Sequence, residues 1–143
     1  MDSVFHNLDL IDLISERHVQ LRKVMEKKWN DQSDIYISNS EWYILARIHQ
    51  QGQTTMAHIS KHVDISRQAI HKFIKRLEEN GLVEVKDLEH DKKKKGVQLT
   101  ALGLECFEKN ESLKLDIVRK MAEKIGADQM KSLRDILSTD WGI

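Results

Sequence analysis

Arg67, Gln68, His71, Lys72 and Lys75 fall within one short stretch, "SRQAIHKFIKRLEEN", and bring together side chains that read and hold nucleic acid. Arginine can give two parallel hydrogen bonds to guanine O6 and N7, and glutamine can pair with adenine N6 and N7. Arg67 and Gln68 are the candidates for those contacts. His71 can reach a base edge or a thymine methyl. Lys72, Lys75 and Arg76 suit phosphate, a contact that sets position rather than sequence. The competing explanation is a solvated helix face stitched by ion pairs four residues apart. The segment has no acid before Glu78, and Asp64 just upstream is the only one nearby, so its cations lack intrahelical partners. A second cationic cluster, Lys92, Lys93, Lys94 and Lys95, follows in "DLEHDKKKKGVQLT". A narrow, strongly negative minor groove would attract it. Asp91 beside this run is expected to brace a lysine.

The recognition face needs a helix behind it. Ile70, Phe73, Ile74 and Leu77 recur at helical spacing and predict a helix over 66–80 with one face in the core. Ser66 is its natural N-cap and Gly81 its stop. Upstream, Thr54 or Thr55 starts a short helix through Val63, and Asp64 and Ile65 make a tight link. Downstream, "LVEV" and "GVQLT" read as strands joined by a long polar segment over 86–95. Two short helices with a tight turn, followed by a β-hairpin, form a winged helix-turn-helix.

Longer helices flank this unit. The apolar spacing predicts a helix over 4–29, with one stripe through Leu10, Leu13, Ile14, Leu21, Val24 and Met25 and a second through Val4, Leu8 and Ile11. "NDQSDIYIS" reads as a loop. Ser38 and Glu41 have the spacing of a capping box for the next helix, whose Trp42, Leu45 and Ile48 face inward and whose end is Gly52. Thr100 is expected to cap a helix to about Lys124, and Asp128 a final one to about Leu137. The fold class is mainly α (α+β), with long N- and C-terminal helices around the winged unit. The segments are 1–34, 35–100 and 101–143, within one compact domain.

Composition narrows the function. The 23 basic and 23 acidic residues cancel, so attraction to DNA must come from local patches. Proline is absent, consistent with helix. The single cysteine, Cys106, excludes an intrachain disulfide and fits a reducing cytosol. No apolar run is long enough to span a bilayer, and the N-terminus lacks the pattern of a signal peptide, so a cytoplasmic location and no membrane partner are expected. The six glycines are scattered, no nucleophile–base–acid set stands out, and neither catalysis nor a cofactor is expected.

The ordered series Ser66, Ile70, Leu77, Gly81 and Leu82, then Asp91, Leu99, Thr100 and Gly103, resembles the MarR family, the multiple antibiotic resistance regulators of bacteria. The likeness covers roughly 41–103. It implies a homodimer held by its terminal helices, each subunit presenting a winged helix to half of a pseudo-palindromic operator in double-stranded DNA. Leu113, Ile117, Val118 and Met121, and Leu133, Ile136 and Leu137, supply apolar stripes that fit such an interface. It also implies a transcriptional regulator, a repressor of nearby genes, responsive to a small-molecule ligand. Three positions depart from the family pattern. Lys93 replaces the wing arginine and lacks its planar fork, Val85 stands where a basic residue often follows "GLVE", and His71 where a small hydroxyl residue is common. Base specificity therefore does not carry over.

His58 and His62 have a spacing that can hold zinc, and a metal-responsive regulator is one alternative, but two ligands alone make a weak site. Cys106 suits a buried thiol better than a redox sensor. Trp29, Tyr36, Trp42 and Tyr43 are candidates for an effector pocket and better candidates for core. A winged-helix protein-interaction module without DNA binding is the remaining alternative, and it would more naturally expose an apolar or mixed face.

Overall fold

The computed structural model describes residues 5–88 and 91–143, with the side chains of 91–93 outside the description. In chain order the elements are α1 Leu10–Asn30, α2 Asn39–Gln51, β1 Gln53–Thr55, α3 Met56–His62, α4 Arg67–Glu79, β2 Val83–Leu88, β3 Asp91–Leu99, α5 Ala101–Ile125 and α6 Ala127–Ser138. The three strands form one antiparallel sheet in the order β1-β3-β2. This is a winged helix-turn-helix with long helices at both ends, as the periodicity predicts.

Side-chain caps set most of the helix starts. Ser38 and Glu41 close the expected capping box on α2. The hydroxyls of Thr55, Ser66 and Thr100 accept from the backbone N–H groups of His58, Ala69 and Gly103. The end of α4 is a Schellman motif: Gly81 at φ 76° lets its own N–H reach the Glu78 carbonyl and the Leu82 N–H reach the Leu77 carbonyl. Thr100 then ties the sheet to this corner, its Oγ1 donating to the Gly81 carbonyl at 2.5 Å. Gly103 completes the join, because a Cβ there would run into the Leu82 carbonyl oxygen. That close approach lets α5 leave directly over the end of α4.

Four expectations about elements need correction. The first helix begins at Leu10 rather than at residue 4, because the Asp9 carboxylate accepts from Asp12 N and closes the helix there. Leu8 precedes the helix, and Val4 lies outside the described residues. The polar segment 86–95 joins the strands over less length than expected: β2 reaches Leu88 and β3 begins at Asp91, with a register irregularity between Asp87 and Leu88. The unbroken charged run Asp91 to Lys95 has no apolar alternation, so a hydrophobicity reading misses the strand there. Strand β1 was not anticipated, since three residues carry no periodicity. Finally, Asp128 sits inside the first turn of α6, while the cap position is Gly126, at φ 93° and without a side-chain bond.

The core lies between α2, α3, α4 and the sheet. Ile44, Leu45 and Ile48 from α2 meet Ile59, Ile70, Ile74 and Leu77, with Leu82, Val83 and Val97 beneath. Trp29 at the end of α1 is buried beside them, its indole N–H donating to the Ile35 carbonyl at 2.8 Å and its ring edge-on to Trp42 at 5.0 Å. Among the four aromatic pocket candidates, Trp29 and Trp42 are therefore core or packed on it, while Tyr36 and Tyr43 are exposed. Cys106 is buried, and that burial pushes its thiol pKa up, the opposite of what activates a redox cysteine.

Candidate nucleic-acid interface

The face of α4 follows from its back. Ile70, Ile74 and Leu77 are buried and Phe73 is packed against them, which fixes the rotation of the helix about its axis. Arg67, Gln68, His71, Lys72 and Lys75 then all emerge on the exposed side. Among the described residues, no acid pairs with Arg67, Lys72 or Lys75. The N-terminus of α4 follows the tight turn after α3, where Ile65 N donates to the Val63 carbonyl at 2.8 Å. Free N–H groups and the helix dipole favour an anion at that end. The Ser66 hydroxyl is engaged as the cap, accepting from Ala69 N at 3.2 Å.

Arg76 differs from its neighbours. Its Nη2 donates to Glu41 Oε1 at 2.5 Å, and Glu41 is fully buried. The hydrogen bond to Glu41 raises the Arg76 pKa further, against the opposing effect of burial. Arg76, expected to bind phosphate, is held by an acid on another helix. No feature of the local sequence points to that partner, 35 positions upstream. The capping-box spacing marks Glu41 as a cap residue and hides this second contact. Tyr36 stands nearby, its hydroxyl donating to Glu26 at 3.3 Å. Burial and the Glu26 carboxylate raise its pKa.

The hairpin of β2 and β3 carries the second cluster. Lys95 forms an ion pair with Asp87, its cross-strand neighbour, and Lys94 is exposed. Asp87 is therefore the described acid that braces a wing lysine. The side chains of Asp91, Lys92 and Lys93 lie outside the described residues, and with them the expected role of Asp91. On the other face of the sheet Glu84 accepts from Gln98 Nε2 at 3.1 Å and pairs with Lys86 at 3.2 Å. The Gln98 hydrogen bond and then Lys86 hold the Glu84 carboxyl below the usual carboxylate range.

His58 and His62 do stand together, with ring centroids 4.4 Å apart. No third His, Cys, Asp or Glu joins them among the described residues. A shallow depression of about 340 Å³ lies between the end of α2 and the start of α5, lined by His49, Gln98, Thr100 and Leu104. It contains none of the four aromatic candidates.

Comparison with known proteins agrees with this geometry. The MarR family model matches residues 37–95, from the start of α2 to the wing. A curated relative, the uncharacterized HTH-type transcriptional regulator YdgJ of Bacillus subtilis (strain 168), is 26% identical over 102 residues. The match takes in 71% of this chain but only 62% of that relative's length. Among solved structures, the reduced form of MarR from E. coli superposes with a TM-score of 0.80 at 20% identity, covering 91% of this chain and 94% of that one. A mutant MarR from E. coli complexed with operator DNA superposes with a TM-score of 0.75 at 20% identity, covering 96% of each chain. At such identities these structures establish a shared fold. The winged-helix lobe, residues 37–95, is thus the part of this chain that matches the MarR family.

Proposed function

We propose that this chain is a homodimeric transcriptional regulator that binds a pseudo-palindromic operator in double-stranded DNA. In this reading the lobe over 35–100 binds DNA, and the segments 1–34 and 101–143 hold the dimer. The observation that carries it is the exposed row Arg67, Gln68, His71, Lys72 and Lys75 on a helix whose opposite face is locked in the core. Helix α4 enters the major groove with its N-terminal end toward the bases. Arg67 and Gln68 read base edges, His71 adds a contact beside them, and Lys72 and Lys75 hold phosphate. The wing lysines, Lys92 to Lys95, meet the adjacent minor groove, with Lys95 steadied by Asp87.

A dimer is supported by apolar residues that one copy leaves in water on α1, α5 and α6, including Leu10, Ile11, Leu115, Val118, Ile136 and Leu137. We read the protein as a bacterial cytoplasmic repressor of nearby genes, not an enzyme, with a small-molecule effector biasing the spacing of the two recognition helices. Among the described residues, no helix is long and apolar enough to cross a membrane. A protein-interaction module is disfavoured by the charge on the exposed α4 face. The test is retardation of the DNA flanking the chain's own gene. Binding is expected to weaken steeply with salt, because phosphate contacts release counterions. Equal affinity for that DNA and a random duplex would contradict the proposal.

A further inference from the structure

Among the described residues, Glu41 is the one charged side chain in the buried set. Its Oε1 accepts three hydrogen bonds: from Ser38 N at 3.1 Å, from Ser38 Oγ at 2.9 Å and from Arg76 Nη2 at 2.5 Å. The first closes the capping box on α2, and a glutamine at this position can accept it as well. The negative charge suits the first turn of α2, and Arg76 is the cation that pairs with it. The pair therefore joins the first turn of α2 to the last turn of α4, on top of the apolar contacts between the two helices.

Apolar packing and ion pairing constrain α4 differently. The stripe of Ile70, Ile74 and Leu77 holds the helix down, but apolar burial is non-directional. The Arg76–Glu41 contact is directional, and a charge-assisted hydrogen bond loses strength with small changes of angle and distance. It sits at the end of α4 opposite Arg67. Nine residues of helix span about 13.5 Å, so a tilt of about 5° at Arg76 shifts Arg67 by roughly 1 Å. That is enough to spoil a two-point hydrogen bond to a base.

We propose that the Glu41–Arg76 pair sets the tilt of α4, so that Arg76 is a positioning residue for DNA binding and not a phosphate contact. The inference rests on the DNA-binding reading above and specifies how that surface is held.

The experiment uses the full chain and three variants, Glu41→Gln, Arg76→Gln and the double variant. Binding to operator and to random duplex is measured across a range of salt, at temperatures well below each unfolding midpoint. Glu41→Gln keeps the cap and cannot touch DNA. It is expected to weaken operator binding about 10-fold, the scale of one lost two-point base contact, with little change on random duplex. Arg76→Gln is expected to show the same loss and an unchanged salt slope, and the double variant to be no worse than the poorer single. The proposal is overturned if Glu41→Gln binds operator as wild type does, or if Arg76→Gln lowers the salt slope by about one, the signature of a phosphate contact. If Arg76→Gln leaves Glu41 unpaired and does not fold, Glu41→Gln and the double variant decide. If the wild-type chain binds no duplex, the DNA reading fails. Amide exchange then judges the tether: in Glu41→Gln, residues 67–79 should exchange faster relative to α5, and an unchanged ratio would overturn it.

Discussion

The winged-helix lobe and the terminal helices treat their apolar residues in opposite ways. In the lobe, Ile70, Ile74 and Leu77 of α4 are sealed in the core of a single copy. In the terminal helices, Leu10 and Ile11 are 70% and 72% exposed, Ile136 and Leu137 58% and 56%, and α6 has no buried residue. Both regions are amphipathic helix. One is complete within the chain, and the other presents a surface that a second copy would cover under the proposed function. The same contrast holds for charge: among the described residues the front of α4 carries unpaired cations, while α5 has internal pairs such as Lys114–Glu111 and Arg119–Asp116.

This contrast can be broken by substitution. Ile74→Ala should cost about 2–5 kcal/mol of folding stability, the usual range for emptying a sealed core site, as read from denaturant unfolding. The equivalent insult in the terminal helices should act on association instead. Leu10→Asp combined with Ile136→Asp should raise the dimer dissociation constant by about 100-fold, or about 2.7 kcal/mol, while the lobe stays folded. Analytical ultracentrifugation with circular dichroism separates the two outcomes, and a variant that remains dimeric would remove these residues from the interface.

Finer changes sharpen the picture of the cationic face. Arg67→Ala should cost about 1–3 kcal/mol on the operator and relax one base position, whereas Lys72→Ala should weaken all sequences alike and reduce the salt slope by about one. Competition titrations with single-base operator variants would expose equal losses, which contradict that division of labour. The smallest effect is expected at Glu84. Its carboxyl is held low in the folded chain, so its contribution is present above the unfolded carboxylate pKa and is lost as pH falls through the folded one. The site is solvent-exposed, so the change should be slight. A carbon-detected titration of Glu84 in wild type and Lys86→Met should show the folded pKa rising in the variant, while the contribution from Gln98 persists.

Much of the lobe was legible in the residues because its signals are local. Ser38 with Glu41, Ser66, Gly81 and Thr100 mark helix ends through hydrogen bonds to groups within a few positions. The row Arg67 to Lys75 follows from the apolar stripe behind it. The strands of the wing extend further than their apolar residues suggest, because the unbroken charged run Asp91 to Lys95 shows no apolar alternation. The first helix was drawn too long, because apolar spacing continues past the cap that Asp9 supplies.

The sequence by itself determined where most of the helices would lie and stop, and that one of them would carry an unbalanced cationic face. These depend on spacing and on bonds between near neighbours. Only the tertiary structure decided which cations are free. Arg76 is tied to Glu41 across 35 positions, and Lys95 to Asp87 across a strand pair. Ion pairs form between whichever charges folding brings within a few ångströms, and separation along the chain does not report that distance.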